Sequence, residues 1–280
     1  MISIVVVTYK RKQDCQNLLA QLSKFDNSII NDIVLVDNSP ELGLSFTDHK
    51  IYHIKNTTNL GVSKSRNLGI DKALNNIVWF LDDDVLIEDS IFEDLKLLEI
   101  YFNFNTRIAV LATEIKSPND SFRKKEIPFV HYRYKSTYIR SASYFIGASF
   151  FVKKDLFEII GGFDNECFYG FEETDLSYRL IKNNLFIKYY PYISVVHLGT
   201  PLGRMPQDIV IQNMYMNRVR IVSRNLPKYF LLSHLLIWYF FILFRHNFFL
   251  SLNFRFSKFI ISNNPKYISY ILKNGGRLFY

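Results

Sequence analysis

The chain has 280 residues, 49% hydrophobic and 21% charged, so it is too apolar to be disordered and long enough to bury a core without disulfide or metal staples. Two cysteines, Cys15 and Cys167, exclude a secreted disulfide scaffold and a structural zinc site, and a reducing compartment is the simpler expectation. Residues 201–280 hold eleven Lys or Arg and one acid, a net of +10, so the overall +8 leaves residues 1–200 at −2; a nucleic-acid binder spreads its basic residues over the folded domain, and nucleic acid is therefore not an expected partner.

Met1 leads directly into Ile2-Ser3-Ile4-Val5-Val6-Val7-Thr8. This lacks the basic start, longer apolar run and small-residue cleavage site of a signal peptide, so a cytosolic N-terminus is expected. The run 2–8 is apolar and β-branched, which predicts a buried parallel strand. Leu18, Leu19 and Leu22 space a helix over 12–24. Strands are predicted over 33–37 and 51–55, a helix over 62–74, and a strand over 77–81 that runs into three aspartates. A helix over 90–102 and a strand over 108–113 follow. This alternation predicts βαβ units and a doubly wound α/β sheet, in which ligands bind beyond the carboxyl ends of the strands. Asp37 and Asp82–Asp84 stand at such ends. Residues 114–143 have no readable period. Further on, the pattern predicts a strand over 145–152, short helices over 154–160 and 174–182, and strands over 186–190 and 195–197. Composition changes after Pro201, which divides the chain into 1–200 and a basic, aromatic helical region over 201–280.

Three adjacent carboxylates, Asp82-Asp83-Asp84, repel one another unless a cation or solvent compensates. Hard oxygen ligands suit Mg²⁺ or Mn²⁺, and a divalent ion there would neutralise a diphosphate; the plain alternative is a solvated acidic turn. Glu172-Glu173-Thr174-Asp175 is either a first helical turn favoured by the macrodipole or the source of a general base. The glycine- and aromatic-rich stretch before it, 161–171, is suited to shaping a pocket for a sugar face. His197 gains interest only if the fold brings it to Asp84, where imidazole completes a metal shell. Asp37 is either a turn residue or an acceptor for a nucleobase N–H. Arg66 is either surface charge or a phosphate ligand.

Together these segments resemble the family 2 glycosyltransferases of GT-A fold, including the rhamnosyltransferase-like enzymes of bacterial surface polysaccharides. Val5-Val6-Val7-Thr8-Tyr9-Lys10-Arg11 resembles the opening strand and nucleotide loop, and Val36-Asp37-Asn38-Ser39 the base-binding strand end. Asn59 to Gly69 resembles N-x-G-x-x-x-x-R-N-x-G, and Asp82-Asp83-Asp84 the DxD motif. Gly147-Ala148-Ser149 through Gly161-Gly162-Phe163-Asp164 resembles the acceptor-side strand and loop. Glu172 to Leu180 resembles E-D-x-D-x-x-x-R. The resemblance spans about residues 2–200. It implies a Rossmann-like mixed sheet, with Thr8, Tyr9, Arg11, Asp37, Asn59 and Arg66 toward the nucleotide and Asp82 or Asp83 touching ribose. Asp84, Asp82 and His197 would hold Mn²⁺ or Mg²⁺ on the diphosphate. Glu173, or its neighbour Glu172, would be the base. The implied reaction moves a sugar from a UDP- or dTDP-sugar to an oligosaccharide or polyprenyl-linked acceptor, in one displacement that inverts the anomeric centre.

Residues 229–244 read YFLLSHLLIWYFFILF. Sixteen residues are short for a span of about 20. The interleaved aromatic and basic residues after them suit helices lying on an anionic membrane, which predicts a peripheral position on its cytoplasmic face; a helical cap or dimer interface is the plainer reading. The alternatives for the whole are a sugar-phosphate nucleotidyltransferase, which would carry a glycine-rich phosphate loop where this chain has Val7-Thr8-Tyr9-Lys10, and a non-catalytic membrane scaffold.

Overall fold

The computed structural model describes residues 1–39, 41, 43–46, 48–88, 91–119, 137–225, 233, 235–237 and 240. The chain divides into two units, Met1–Arg204 and Met205–Tyr280. In the first, the elements run β1 (Ile2–Thr8), α1 (Lys12–Leu22), β2 (Ile30–Asp37), β3 (Ile51–Lys55), α2 (Val62–Lys72), β4 (Ile77–Asp82), β5 (Val85–Ile87), α3 (Phe92–Phe104), β6 (Ile108–Lys116), β7 (Arg140–Ala142), β8 (Ser149–Lys153), α4 (Lys154–Ile159), α5 (Glu172–Lys182) and β9 (Phe186–His197). In the second, α6 covers Gln207–Asn225.

One sheet organises the first unit, in the order β3-β2-β1-β4-β8-β6-β9-β5, with β7 paired to β9. The β3-β2-β1-β4 half is parallel, whereas β8 is antiparallel to both β4 and β6. The sheet is therefore mixed and doubly wound, as the strand–helix alternation predicts.

Successive strand residues point to opposite faces, and both faces are covered. Ile4, Val6, Leu35, Trp79 and Leu81 pack with Leu18 and Leu22 of α1 and Leu95, Leu98 and Phe102 of α3. Val5, Val34, Val36, Val78 and Phe80 pack on the other side with Ile70 of α2, Phe157 of α4, and Leu176 and Leu180 of α5. Burial on both faces explains why β1 and β4 read as unbroken apolar runs rather than alternating ones.

The structure corrects several expected elements. The strands expected over 186–190 and 195–197 are one strand, β9. Thr113 pairs Tyr190 while Glu114 pairs Ser194, so Pro191, Tyr192 and Ile193 are extra residues on that strand; a proline, which lacks an N–H, is tolerated at such an irregularity. The strand expected from 145 begins at Ser149. Inside the stretch read as irregular, β6 extends to Lys116 and β7 occupies Arg140–Ala142, while 120–136 lies outside the described residues. α5 starts at Glu172, two residues earlier than expected. Of the segment 229–244, only 233, 235–237 and 240 are among the described residues. Among the described residues no helix is long and apolar enough to cross a membrane.

Candidate active site

Register places the site. Thr8 pairs Asp37 and Val7 pairs Asp82, so the ends of β1, β2 and β4 lie side by side at the carboxyl edge of the parallel half. The chain turns at Asp83 and Asp84 into β5, whose Val85 pairs His197 at the end of β9. That three-residue ladder is what carries His197 to the acidic turn.

Asp84 is buried, and its two oxygens differ. Oδ2 accepts the Thr200 N–H at 2.8 Å. Oδ1 lies 3.3 Å from Arg11 Nη1 and 3.4 Å from His197 Nε2, yet it is buried and accepts no hydrogen bond. Burial by itself would raise the Asp84 pKa; His197, the Arg11 charge and the Thr200 N–H outweigh it and hold the carboxyl at about 2. Asp82, Asp84 and His197 each offer one ligand atom, all within 4.8 Å of one another. Two carboxylates and an imidazole, with Asp84 Oδ1 buried and accepting no hydrogen bond, fit a hard divalent cation.

The middle aspartate does a different job. Asp83 accepts the Thr8 hydroxyl at 2.7 Å and Arg11 Nη1 at 2.8 Å. Burial pushes its pKa up to about 7 against the pull of Arg11 and Thr8. Thr8 is fully buried, and its hydroxyl holds Asp83. Arg11 is likewise occupied, donating from Nε to Leu202 O at 2.7 Å and from Nη2 to Thr200 O at 3.2 Å. It ties the acidic turn to the segment after β9. Tyr9 follows β1 half-buried.

Arg66, on α2, is expected either at the surface or on phosphate; the structure buries it between the two acidic clusters. Nη1 reaches Glu172 Oε1 at 3.2 Å and Glu173 Oε1 at 3.3 Å, while Nη2 reaches Asp82 Oδ1 at 3.3 Å and donates to Gly147 O at 2.9 Å. The guanidinium also lies 5.5 Å from the rings of Phe150 and Phe163, a cation–π setting. A Cβ at Gly147 would overlap Glu173 Oε1 and lie 2.6 Å from Arg66 Nη2, so a side chain there would displace both groups.

The paired glutamates are unequal. Glu172 is buried, and Oε2 has no hydrogen-bond partner. Burial, then the neighbouring Glu173 charge, pushes its pKa up to about 8 against the pull of Arg66. The side chain of Glu173 keeps 18% of its surface exposed. Both sit in the first turn of α5 behind Phe171, whose φ of 67° lies in the left-handed region, and acids there are favoured by the helix dipole.

Asp37 is buried at the end of β2, where Oδ1 accepts the Ser39 N–H at 2.8 Å and Oδ2 lies 3.5 Å from His53 Nε2. Burial lowers the His53 pKa despite Asp37. Asn59 accepts the Gly61 N–H at 2.9 Å, a local turn at the head of α2. The structure thus joins Asp82, Asp84 and His197 to Glu172 and Glu173 through Arg66, and places Asp37 on the neighbouring strand end. The sequence reading missed His53 and Thr200 as parts of this site, and took Gly147 only as part of the acceptor-side segment, not as a partner of Arg66. Their contacts are a backbone carbonyl, a cross-strand neighbour and a backbone N–H, none of which leaves a residue-type signal.

Fold and site together define a glycosyltransferase of GT-A type, and comparison with known proteins agrees. Residues 3–161 match the family described as glycosyl transferase family 2. Among curated relatives, a "dTDP-rhamnosyl transferase RfbF" of Shigella flexneri is 30% identical over 207 residues, covering 69% of this chain and 67% of the relative. A "Low-salt glycan biosynthesis hexosyltransferase Agl10" of Haloferax volcanii is 23% identical over 209 residues, covering 70% and 66%. Among solved structures, GalNAc-T7 with UDP, GalNAc and Mn²⁺ superposes with a TM-score of 0.61 at 16% identity, over 80% of this chain and 48% of that one. The mannosyltransferase PcManGT of Pyrobaculum calidifontis with GDP-Man and Mn²⁺ gives 0.57 at 14% identity, over 79% and 63%. The chain thus spans about two thirds of the curated hexosyltransferase and about half of the GalNAc-T7 chain. The chain belongs to glycosyl transferase family 2.

Proposed function

We propose that this chain is a metal-dependent, inverting hexosyltransferase. It would take a sugar from a nucleotide-diphosphate donor to a saccharide or polyprenyl-linked acceptor of a surface polysaccharide. One observation carries the reading: a single buried guanidinium links Asp82, one of the candidate cation ligands, to Glu173, the less buried of the two glutamates. A cation site and a proton acceptor a few ångströms apart are what displacement at a sugar carbon needs.

Asp82, Asp84 and His197 would hold the ion. When bound, it neutralises charge on the departing diphosphate. Asp84 stays ionised for this at any pH above about 2. Asp83, fastened by Thr8 and Arg11, would set the turn that aims Asp82 and Asp84. Asp37, steadied by the Ser39 N–H, would accept the imide N–H of uracil or thymine. Tyr9 and Asn59 would border the nucleotide. Glu173 would take the acceptor hydroxyl's proton as that oxygen attacks. Burial raises the Glu172 pKa, which lessens the negative charge beside the base. The family resemblance supplies one base and no dedicated second nucleophile, so displacement would occur once and invert the anomeric centre. Arg66 would act on Asp82 and Glu173 rather than on phosphate.

The Shigella relative's name supports a dTDP-sugar donor, the UDP held by GalNAc-T7 a UDP-sugar, and the Haloferax relative's name glycan assembly. Mn²⁺ in the two neighbouring structures supports the ion. The basic, aromatic tail supports peripheral attachment to an anionic membrane, which sedimentation with phosphatidylglycerol vesicles tests. The central experiment is a thermal-shift panel of UDP-, dTDP- and GDP-sugars with and without Mn²⁺. A donor at about 100 times its Kd stabilises by about 2.7 kcal/mol, and it should do so only with the ion. Proton NMR of the product then reads the anomer. Retained configuration, or no ion-dependent donor, contradicts the reading.

A further inference from the structure

The loop over 161–171 joins α4 to α5 without regular structure, yet it is pinned at two points to the first half of α2. Asn67 Oδ1 accepts the Phe163 N–H at 3.0 Å, and its Nδ2 donates to Phe163 O and to Asn165 Oδ1, each at 2.9 Å. One side-chain amide thereby pairs with both backbone groups of a loop residue, as a neighbouring strand would. At Gly162 (φ 65°) a Cβ would lie 2.8 Å from Asn67 Oδ1, and the left-handed backbone there favours glycine. At the head of the same helix, the Val62 N–H donates to Phe168 O at 3.0 Å. Gly61 (φ 80°) could carry no Cβ, since it would sit 2.6 Å from that same oxygen. Directly after the second pin comes Tyr169, 45% exposed, and three residues later the glutamate pair. Burial and the charges of Asp82, Glu172 and Glu173 raise the Tyr169 pKa.

We infer that α2 is the seat of the acceptor side, with Asn67 the positioning residue that fixes the loop over 163–168 and so presents Tyr169 and Glu173 together to a saccharide. An aromatic ring packs on the C–H face of a sugar while the carboxylate takes a hydroxyl proton. The inference rests on the proposed role of Glu173. It assigns the Asn59–Gly69 motif, expected on the nucleotide side, largely to the opposite flank.

The test compares full-length wild type with Asn67→Ala and Asn67→Asp. Hydrogen exchange by mass spectrometry reads the loop, and calorimetry with UDP and with dTDP, each with Mn²⁺, reads the donor side. In Asn67→Ala, exchange over 161–171 should quicken at least about tenfold while 30–37 is unchanged, and nucleotide affinity should stay within about threefold. Asn67→Asp keeps an acceptor for the Phe163 N–H but cannot donate, and should fall between. If Asn67→Ala loosens 30–37 as well, Asn67→Asp is judged by the same criteria. Unchanged exchange over 161–171 overturns the seat. A parallel collapse of nucleotide affinity also overturns it, assigning Asn67 to the donor flank. Wild type binding neither nucleotide with Mn²⁺ strikes the proposed function instead, while the exchange result still decides the seat.

Discussion

Arg66→Met is the sharpest perturbation of this site. The apolar stem is kept out to about the position of Nε, but four acceptors lose a common donor: Glu172 Oε1, Glu173 Oε1, Asp82 Oδ1 and Gly147 O. Breaking a buried ion pair costs roughly 3–5 kcal/mol. Two features pull the figure to the low end. Burial raises the Glu172 pKa, so the loss of Arg66 costs this side chain little near pH 7. The Asp82 side chain is 34% exposed and is partly served by water. The penalty therefore falls mainly on Glu173 and the Gly147 carbonyl, and about 3 kcal/mol is expected at pH 7, or a melting temperature lower by roughly 6–12 °C for a unit of this size. Urea unfolding followed by far-ultraviolet circular dichroism measures it. The loss should shrink toward pH 5, because protonating the orphaned carboxylates relieves the variant and not the wild type. Arg66→Lys supplies one compact charge with no planar fork and should recover less than half of the loss. A deficit under about 1 kcal/mol, or one equal at pH 5 and pH 8, would falsify the bridge.

Asp84→Asn should abolish ion-dependent donor stabilisation and transfer. It should also cost about 2 kcal/mol at pH 7 without any ion, because the folded-state pKa of Asp84 is lowered to about 2. Such stability is present above the ordinary aspartate pKa and is lost as pH falls through 2. Intact Mn²⁺ titration by the variant would contradict the ligand assignment. Glu172 and Asp83 work in the opposite sense, with folded pKa values raised to about 8 and about 7. Their contribution is full below pH 4, declines as the unfolded chain ionises first, and levels off above pH 8. Urea midpoints from pH 5 to 8 should therefore fall less steeply in Glu172→Gln than in wild type, and parallel profiles would count against the assigned burial. Gly147→Ala puts a methyl group into Glu173 Oε1 and Arg66. Turnover should drop roughly 10- to 100-fold from a misplaced base, with nucleotide affinity in Mn²⁺ held within about threefold; full turnover would show that Glu173 is not the base.

How much of this was legible in the residues differs by element. β1, β2 and β4 are buried on both faces, so their apolar, β-branched runs announce themselves locally. β5 and β7 are three residues each and exist only because β9 lies beside them, so no local pattern marks them. The acidic motifs were legible as motifs. The division of labour within them was not, because burial and hydrogen-bond partners come from other elements: Asp83 fastened by Thr8 and Arg11, Asp84 with an orphaned oxygen, Glu172 sunk behind Glu173.

Residue order alone determined the alternation of strands and helices, the placement of acids at strand ends and the family, since periodicity and motif spacing are properties of short stretches. Only the tertiary structure decided that Arg66 joins Asp82 to a glutamate pair 106 residues away, that β5 brings His197 to Asp84, and that α2 grips the loop before α5. Charge pairing and desolvation act through space, and in a folded chain the nearest partner of a buried charge is seldom its neighbour in sequence.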